Sequence, residues 1–287
     1  GRGVAILRSG SAGSGQRCAL LRYGATLNHG SADEMNVNLY AFGRELSYDQ
    51  GYGWAHHRCG WAHSTVAHNV VVVNEKNQLR NAAGSGGSLE QYCQSPRVRV
   101  VAADAPLAYS AEGVRRYRRL LALVDTGRDS SYVLDTFDVA GGEQHDMSQH
   151  FLGRLEQSDG VAFGPPQTSG SLAGPQYEWW KLIQPSGWLR GQKQPFYWKA
   201  PPENGYGFLF HVRQGLAMNA APKFIWKVGE RLSSSPHGVS YPAECGPAAS
   251  NCPAHPLESG GLRVSAGRPG DFAAVPVSVE TAGEYVV

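Results

Sequence analysis

The sequence is poor in charge and contains no long hydrophobic run. Charged residues make up 17 % of the 287 residues and the formal net charge is only +2, a balance too mild to indicate a nucleic-acid partner. No apolar run approaches the roughly 18 residues of a membrane-spanning helix. A helical 3.6-residue pattern never persists beyond two turns, which argues against a helical bundle.

Common enzyme and metal motifs are also missing. The absence of GxGxxG, GxSxG and HExxH argues against dinucleotide binding, serine hydrolysis and thermolysin-like proteolysis. The five cysteines include no CxxC pair, which disfavours a zinc ribbon, and their odd number leaves at least one thiol free. Cys245 and Cys252 close a short loop, where a disulfide and two reduced thiols remain alternatives.

What the sequence has in abundance is glycine and proline, 36 and 17 residues, as expected for short strands joined by turns. Alternation of apolar and polar residues predicts strands over 4–8, 19–23, 36–41, 45–48, 69–73, 97–102, 117–124, 131–139, 208–213 and 223–228. The prediction is an all-β fold, a large antiparallel two-sheet β-sandwich with almost no helix. We expect one domain over residues 1–287, with a Gly/Pro-rich break near 164–174 and a long loop over 233–256.

One segment, residues 23–78, holds five of the ten histidines. It contains an HGxxD element from His29 to Asp33, a DxGY element from Asp49 to Tyr52, and an AHN element centred on His68 that opens a Val-rich strand. Histidine titrates near neutral pH and is the commonest metal ligand. A histidine-dense segment punctuated by glycine is therefore the first candidate for chemistry.

The order of these elements resembles the β-sandwich domain of the heparinase II/III superfamily of polysaccharide lyases, a group that includes heparin and alginate lyases and a related dermatan-sulfate epimerase. The resemblance is specific from Leu7 to Gln78 and thinner over 98–152. It implies a secreted or periplasmic enzyme in which a β-domain closes over the cleft of an N-terminal α/α toroid. This chain resembles only the β-domain, so we expect it to be a piece of a longer protein.

The resemblance also implies roles for the two histidine-rich loops. His29 would face the uronic-acid cleft, as proton acceptor or as neutraliser of the sugar carboxylate. Tyr52 would donate a proton to the leaving group, and His56 and His57 compete for that duty. Substrate contacts are expected from Asn28, Trp54, His56 and Arg58, because a tryptophan can stack on a sugar ring and an arginine can hold a carboxylate or sulfate bidentately.

A metal site is the third expectation. In the family pattern HGHxD, the second histidine, the Asp of DxGY and the His of AHN bind a structural zinc. The last two match Asp49 and His68, but the first is Ser31, a poor zinc ligand. Asp33, His63 and His57 are the alternatives that could replace it. A plain hydrogen bond between Asp49 and His68, with no metal, is the competing interpretation.

Two further patterns are weaker. The run VRRYRRL over 114–120 fits either a solvated edge strand protected by charge or a contact with an anionic sugar. If it is a strand, Arg116 and Arg118 share one face, whereas Arg115, Tyr117 and Arg119 share the other. His145 and His150 are offset by five residues, which in a strand puts them on opposite faces.

The function predicted from these residues is the β-domain of a lyase that cleaves a uronic-acid-containing anionic polysaccharide by β-elimination. A uronyl C5-epimerase differs only in returning the proton to the other face. The alternative from another class is a non-catalytic carbohydrate-binding or scaffold domain. The expected partners are the polysaccharide and the helical toroid of the same protein.

Overall fold

The computed structural model describes residues 3–11, 13–26, 30–47, 49, 61–80, 84–151, 154–178, 201–218, 222–227, 261–266, 274–281 and 284–286. Named helical segments in this part of the chain are short 3₁₀ turns, at Gly13–Gly15, Thr65–Ala67, Pro106–Glu112 and Tyr206–Phe208. A search of the same residues finds no helix of the length and apolar character that a membrane crossing requires.

Antiparallel strands make up most of the described chain. They are β1 (Val4–Ser9), β2 (Arg17–Arg22), β3 (Asn36–Ala41), β4 (Arg44–Glu45), β5 (Val71–Val73), β6 (Ser88–Gln94), β7 (Val98–Asp104), β8 (Arg116–Asp125), β9 (Ser131–Ala140), β10 (His145–His150), β11 (Arg154–Asp159), β12 (Val161–Phe163), β13 (Gly215–Ala217), β14 (Lys223–Lys227), β15 (Gly261–Ala266), β16 (Ala274–Thr281) and β17 (Glu284–Val286).

The strands form one wide sheet and three smaller ones. The eight-stranded sheet has the order β11-β14-β17-β16-β9-β8-β7-β6, the four-stranded sheet runs β1-β2-β3-β4, and the three-stranded sheet runs β15-β10-β5, with β12 and β13 forming a separate pair. The second layer of the sandwich is thus divided between the four- and three-stranded sheets, where the sequence had suggested a single sheet.

Period-two alternation explains how the layers pack. On β8, Tyr117 and Leu121 are fully buried, and they join the same apolar cluster as Leu7, Leu21 and Val37 of β1, β2 and β3. Apolar side chains on one face of each sheet leave water together, at about 25 cal/mol per Å² of buried apolar surface. The predicted all-β antiparallel sandwich is confirmed.

Individual strand predictions had mixed outcomes. The predicted strand 36–41 is β3, and the turn after it has positive φ at Phe42 and Gly43, as a two-residue hairpin requires. Val71–Val73, within the predicted strand 69–73, is buried on both faces. The predicted strand 208–213 is wrong, because Tyr206–Phe208 is a 3₁₀ turn and the residues after it are irregular. The predicted loop 233–256, with Cys245 and Cys252, lies outside the described residues.

The arginine run lies in the middle of the wide sheet. β8 pairs with β7 on one side and β9 on the other, so the edge-strand interpretation is wrong. Arg116 and Arg118 point outward and form ion pairs with Asp138 and Glu90, while Arg119 is 1 % exposed. Every arginine of β8 is thus matched by a carboxylate within the protein, which leaves little reason to assign the run to an external anion.

Candidate functional site

Three segments meet at one end of the four-stranded sheet. Between β2 and β3 the chain folds back, and Met35, at φ 69°, donates its N–H to the carbonyl of Arg22 at 2.7 Å. This turn carries Asp33. Asp49 follows β4, and His68 follows the 3₁₀ turn Thr65–Ala67 that leads into β5. The fold therefore brings together parts of the HGxxD, DxGY and AHN elements.

Asp33, Asp49 and His68 form a compact cluster. Each offers one ligand atom, and the three atoms all lie within 4.8 Å of one another. His68 Nδ1 is 3.5 Å from Asp49 Oδ2, and Asp33 Oδ1 is 2.8 Å from the Arg22 guanidinium. Asn36 Nδ2 donates to Asp49 Oδ2 at 2.9 Å. Asp33 and His68 are buried and Asp49 is half-buried.

The His68 ring is oriented by its surroundings. The side chain is 2 % exposed, and its Nε2 lies 3.2 Å from the carbonyl of Ala62. A carbonyl only accepts, so Nε2 carries a hydrogen, and in the neutral ring Nδ1 then has a free lone pair. Nδ1 is buried and faces Asp49 Oδ2 at 3.5 Å, within ion-pair distance. Metal-binding histidines are commonly held in this way, with one ring N–H donated to a carbonyl or carboxylate.

Burial and neighbouring charges shift the pKa values of this cluster. Burial raises the pKa of Asp33, and the charges of His68 and Arg22 only partly oppose that effect. Burial alone would lower the pKa of His68, but the hydrogen bonding and charge of Asp49 outweigh it and leave the pKa raised. Two carboxylates and one arginine in a poorly solvated place leave an excess negative charge that attracts a proton or a cation.

A second network of buried hydrogen bonds, around Glu34, stabilises the turn that carries Asp33. Glu34 has no exposed surface; its Oε1 accepts from the N–H of Thr26 at 3.3 Å and from the hydroxyl of Ser85 at 3.2 Å. The amide of Gln78 bonds both the N–H and the carbonyl of Glu34. Burial raises the pKa of Glu34 to about 7. Neither Glu34 nor Arg22 was among the predicted site residues, and only Glu34 lies directly beside the HGxxD element, next to Asp33.

Six of the predicted site residues lie outside the described residues: His29, Tyr52, Asn28, Trp54, His56 and Arg58. The structure does describe residues on either side of them. Thr26 Oγ1 donates to the carbonyl of Ser31 at 2.6 Å, and Ala32 N–H donates to the carbonyl of His63 at 3.1 Å. Asp49 lies within ion-pair distance of His68, and the carbonyl of Ala62 contacts the same ring. Described residues before and after 50–60 thus meet at His68.

The two histidines of β10 do not form a pair. His145 Nε2 lies 2.8 Å from the carbonyl of Gly141, whereas His150 Nε2 lies 2.7 Å from the carbonyl of Val66 and packs edge-on against Trp61. Burial lowers the pKa of His150 to about 4, with the charge of His68 adding to that effect. His150 is therefore a neutral histidine that supports the 3₁₀ turn before His68.

The class that fold and site define is an antiparallel β-sandwich with a carboxylate–histidine cluster at one end of its four-stranded sheet. The family model described as heparinase II/III-like, C-terminal, matches residues 2–186. That match covers well over half of the chain, and the chain belongs to this family. Among curated proteins, none is significantly similar in sequence.

Several solved structures are similar over part of their length. Heparinase III, the BT4657 gene product, has a TM-score of 0.46 and 17 % identity, with 57 % of this chain and 26 % of that chain covered. Heparan sulfate lyase HepC from Pedobacter heparinus has a TM-score of 0.43 and 13 % identity, with 60 % of this chain and 28 % of that chain covered. Another heparinase III structure has a TM-score of 0.43 and 10 % identity, with 99 % of this chain and 35 % of that chain covered. The chain thus spans about a quarter to a third of the length of these proteins.

Proposed function

We propose that this chain is the β-domain of a polysaccharide lyase and contributes to β-elimination in a uronic-acid-containing anionic polysaccharide. The observation that carries the proposal is the family match over residues 2–186, because this region includes the HGxxD, DxGY and AHN elements. The convergence of those three elements on one cluster supports it.

The chemistry requires three kinds of group. A base removes the proton at C5 of the uronate, and the charge that develops on the carboxylate side must be stabilised by donors or cations. The C4–O bond then breaks, its electron pair leaves with the oxygen, and an acid protonates that oxygen. The product carries a C4=C5 double bond. A histidine can serve as base, and a tyrosine beside it can serve as acid.

We assign these roles to residues of the HGxxD element and of the segment that follows Asp49. His29 takes the C5 proton or holds the uronate carboxylate, and Tyr52 protonates the leaving oxygen. Asn28, Trp54, His56 and Arg58 bind the sugar chain. The bond from Ala32 N–H to the carbonyl of His63 supports this assignment, since it joins a described residue of the HGxxD element to one that precedes the AHN element.

We further propose that a helical domain of the same protein supplies the remaining catalytic groups, and that the protein acts outside the cytoplasm. One loop histidine and one tyrosine are only part of the acid, base and carboxylate-neutralising set. Residues 1–287 alone should therefore show negligible turnover, and restoring the upstream sequence should restore it.

The test uses the full-length protein with a panel of uronate polymers, and it measures the ultraviolet absorbance of the unsaturated product. His29→Ala should lower kcat by at least about a hundredfold, because general acid–base groups contribute roughly 10²–10⁴-fold. Its melting temperature should not change, because the proposed role of His29 is proton transfer or carboxylate binding. His211→Ala is the matched control, because His211 is an exposed loop histidine, and it should retain full activity.

Each alternative has its own signature in the same experiment. An epimerase would incorporate deuterium from D₂O at C5 without forming unsaturated product. A scaffold domain would bind the polymer and give neither signal. An active His29→Ala variant would contradict the role of His29, and a variant that unfolds would make His29 structural.

A further inference from the structure

The outer face of the four-stranded sheet is continuous with the candidate site. Asn36, at the start of β3, donates its side-chain amide to Asp49 Oδ2 at 2.9 Å and to Asn38 Oδ1 at 3.3 Å. Asn38 and Tyr40 follow on the same face, because alternate residues of a strand point the same way, and both are half-buried. This face therefore leads directly away from the carboxylate–histidine cluster.

The far end of this face carries an arginine and a tyrosine in one row. The strand register places Arg8 of β1, Cys18 of β2 and Tyr40 of β3 side by side. Neighbouring strands lie about 4.8 Å apart, so the Cα atoms of Arg8 and Tyr40 are about 10 Å apart. Ile6 and Leu20 are half-buried in the next row towards the site. The row thus combines a cation and an aromatic ring beside an apolar surface.

Arg8 and Tyr40 are not occupied by other described residues. Arg8 is exposed and forms no ion pair with them, unlike the paired Arg116 and Arg118. Burial raises the pKa of the Cys18 thiol, and the charge and hydrogen bonding of Arg8 only partly oppose that effect, which locates the guanidinium over Cys18. Within the same part of the chain, Tyr40 makes no ring contact and no side-chain hydrogen bond.

We propose that this face, from Asn36 to the row of Arg8 and Tyr40, binds an extended segment of the anionic polysaccharide whose end reaches the candidate site. Arg8 pairs with a sugar carboxylate or sulfate through its planar guanidinium. Tyr40 packs on the apolar side of a sugar ring, and the amide of Asn38 donates to a hydroxyl. The identity of the ligand rests on the proposed function, whereas the surface itself rests on the register and on the free side chains.

Charge and length define which ligand fits. Glu45 of β4 is exposed and lies opposite Tyr40, on the side away from Arg8. An anionic chain is repelled from the β4 edge and attracted to the β1 edge, so it crosses the face from Asn36 towards Arg8. The stretch of β3 from Asn36 to Tyr40 rises about 13 Å. That length exceeds one sugar ring, so only an oligosaccharide spans the whole surface.

The test measures by calorimetry the Kd values of heparan sulfate and alginate decasaccharides, and of the matching disaccharides, for the full-length protein. All variants are made in a His29→Ala background, so that turnover does not consume the ligand. Arg8→Gln should weaken binding of the preferred decasaccharide about tenfold, the loss of one charged hydrogen-bonded contact. Tyr40→Ala should weaken it about threefold to tenfold, and Tyr40→Phe, which keeps the ring, should bind like the parent. Disaccharide affinity should not change.

Arg115→Gln and Tyr132→Ala are the matched controls, because both residues are exposed elsewhere on the protein, and they should bind like the parent. A parent that binds neither decasaccharide, or Arg8→Gln and Tyr40→Ala variants that bind as tightly as the parent, would overturn the proposal. An equal loss in Arg115→Gln would show general charge attraction and overturn it too. Unchanged binding with a lower melting temperature would assign this face to packing against another part of the protein. The expected losses in a protein that forms no unsaturated product would support this surface while refuting the lyase proposal.

Discussion

Two buried charge clusters lie side by side in this protein, and they are built on opposite principles. In the first, Arg119 of β8 forms a bidentate pair with Asp135 of β9, at 2.8 Å and 2.5 Å. Its remaining nitrogen bonds the carbonyl of Met35 at 2.6 Å and that of Asn69. The charges balance, and the guanidinium has partners on several sides.

The second cluster, Asp33, Asp49 and His68, is not balanced by permanent charges. Two carboxylates face one arginine and the ring of His68, whose pKa they raise, so the charges balance only while His68 is protonated. The two clusters are physically joined, because the carbonyls that Arg119 holds belong to residues next to Glu34 and His68. The comparison teaches that permanent charges with a closed set of partners mark the supporting structure, whereas a set whose balance depends on one titratable ring marks a candidate site.

Two buried histidines, His68 and His150, differ in how their surroundings shift their pKa values. His68 and His150 are both buried, at 2 % and 1 % exposure, yet their pKa values move in opposite directions. Burial lowers the pKa of His150 to about 4, whereas Asp49 raises the pKa of His68 against the effect of burial. Similar burial therefore gives a neutral structural histidine in one place and a histidine that favours positive charge or a cation in the other.

The largest effect is expected from breaking the balanced cluster. Arg119→Gln should lower the free energy of unfolding by about 3–5 kcal/mol, because it leaves Asp135 charged and buried without its partner. Arg118→Gln, one residue away on the same strand, is the matched control. Arg118 pairs with Glu90 at the surface, so its loss should cost at most about 1 kcal/mol. Urea denaturation measures both, and equal costs would refute the distinction between the two faces of β8.

An intermediate effect is expected from His150. Its folded pKa, about 4, lies below the ordinary value of 6.5, so the unfolded chain takes up a proton first as the pH falls. Stability is therefore present above pH 6.5 and is lost between about 6.5 and 4, by at most about 3 kcal/mol. The charges that influence it, His68 and Asp49, lie in the neighbouring cluster.

The measurement compares the free energies of unfolding of the wild type and His150→Gln from pH 7.5 to 4.5. The variant should lose part of this acid sensitivity. An identical pH dependence in the two proteins would show that His150 titrates normally. His211→Gln, at an exposed loop position, should behave like the wild type.

The smallest effect on stability is expected in the unbalanced cluster. In the presence of a chelator, Asp49→Asn should change the free energy of unfolding by no more than about 1 kcal/mol, because losing its pairing with His68 is offset by removing its repulsion with Asp33. Asp135→Asn, the same substitution in the balanced cluster, should cost about 3–5 kcal/mol. A large loss from Asp49→Asn, measured by the same denaturation, would show that Asp49 belongs to the supporting structure.

Local patterns in the sequence were enough for much of the fold. Period-two alternation located β1, β3, β8 and β9. The same rule missed β6, whose residues are exposed throughout, and β10, which is buried throughout. A strand that is equally exposed or equally buried on both faces shows no alternation, so periodicity cannot find it.

The candidate site, like the fold, was only partly predictable from the sequence. The sequence alone determined the all-β class and the motif order, because these depend on residue type and on spacing along the chain. The family resemblance of that order then implied Asp49 and His68 as a candidate pair. Only the tertiary structure decided that Asp33 joins them, that Arg22 and Asn36 hold the carboxylates, and that Arg119 fixes the backbone beneath. Those contacts join residues far apart in sequence, and their energies depend on burial, which only the packing of the two layers creates.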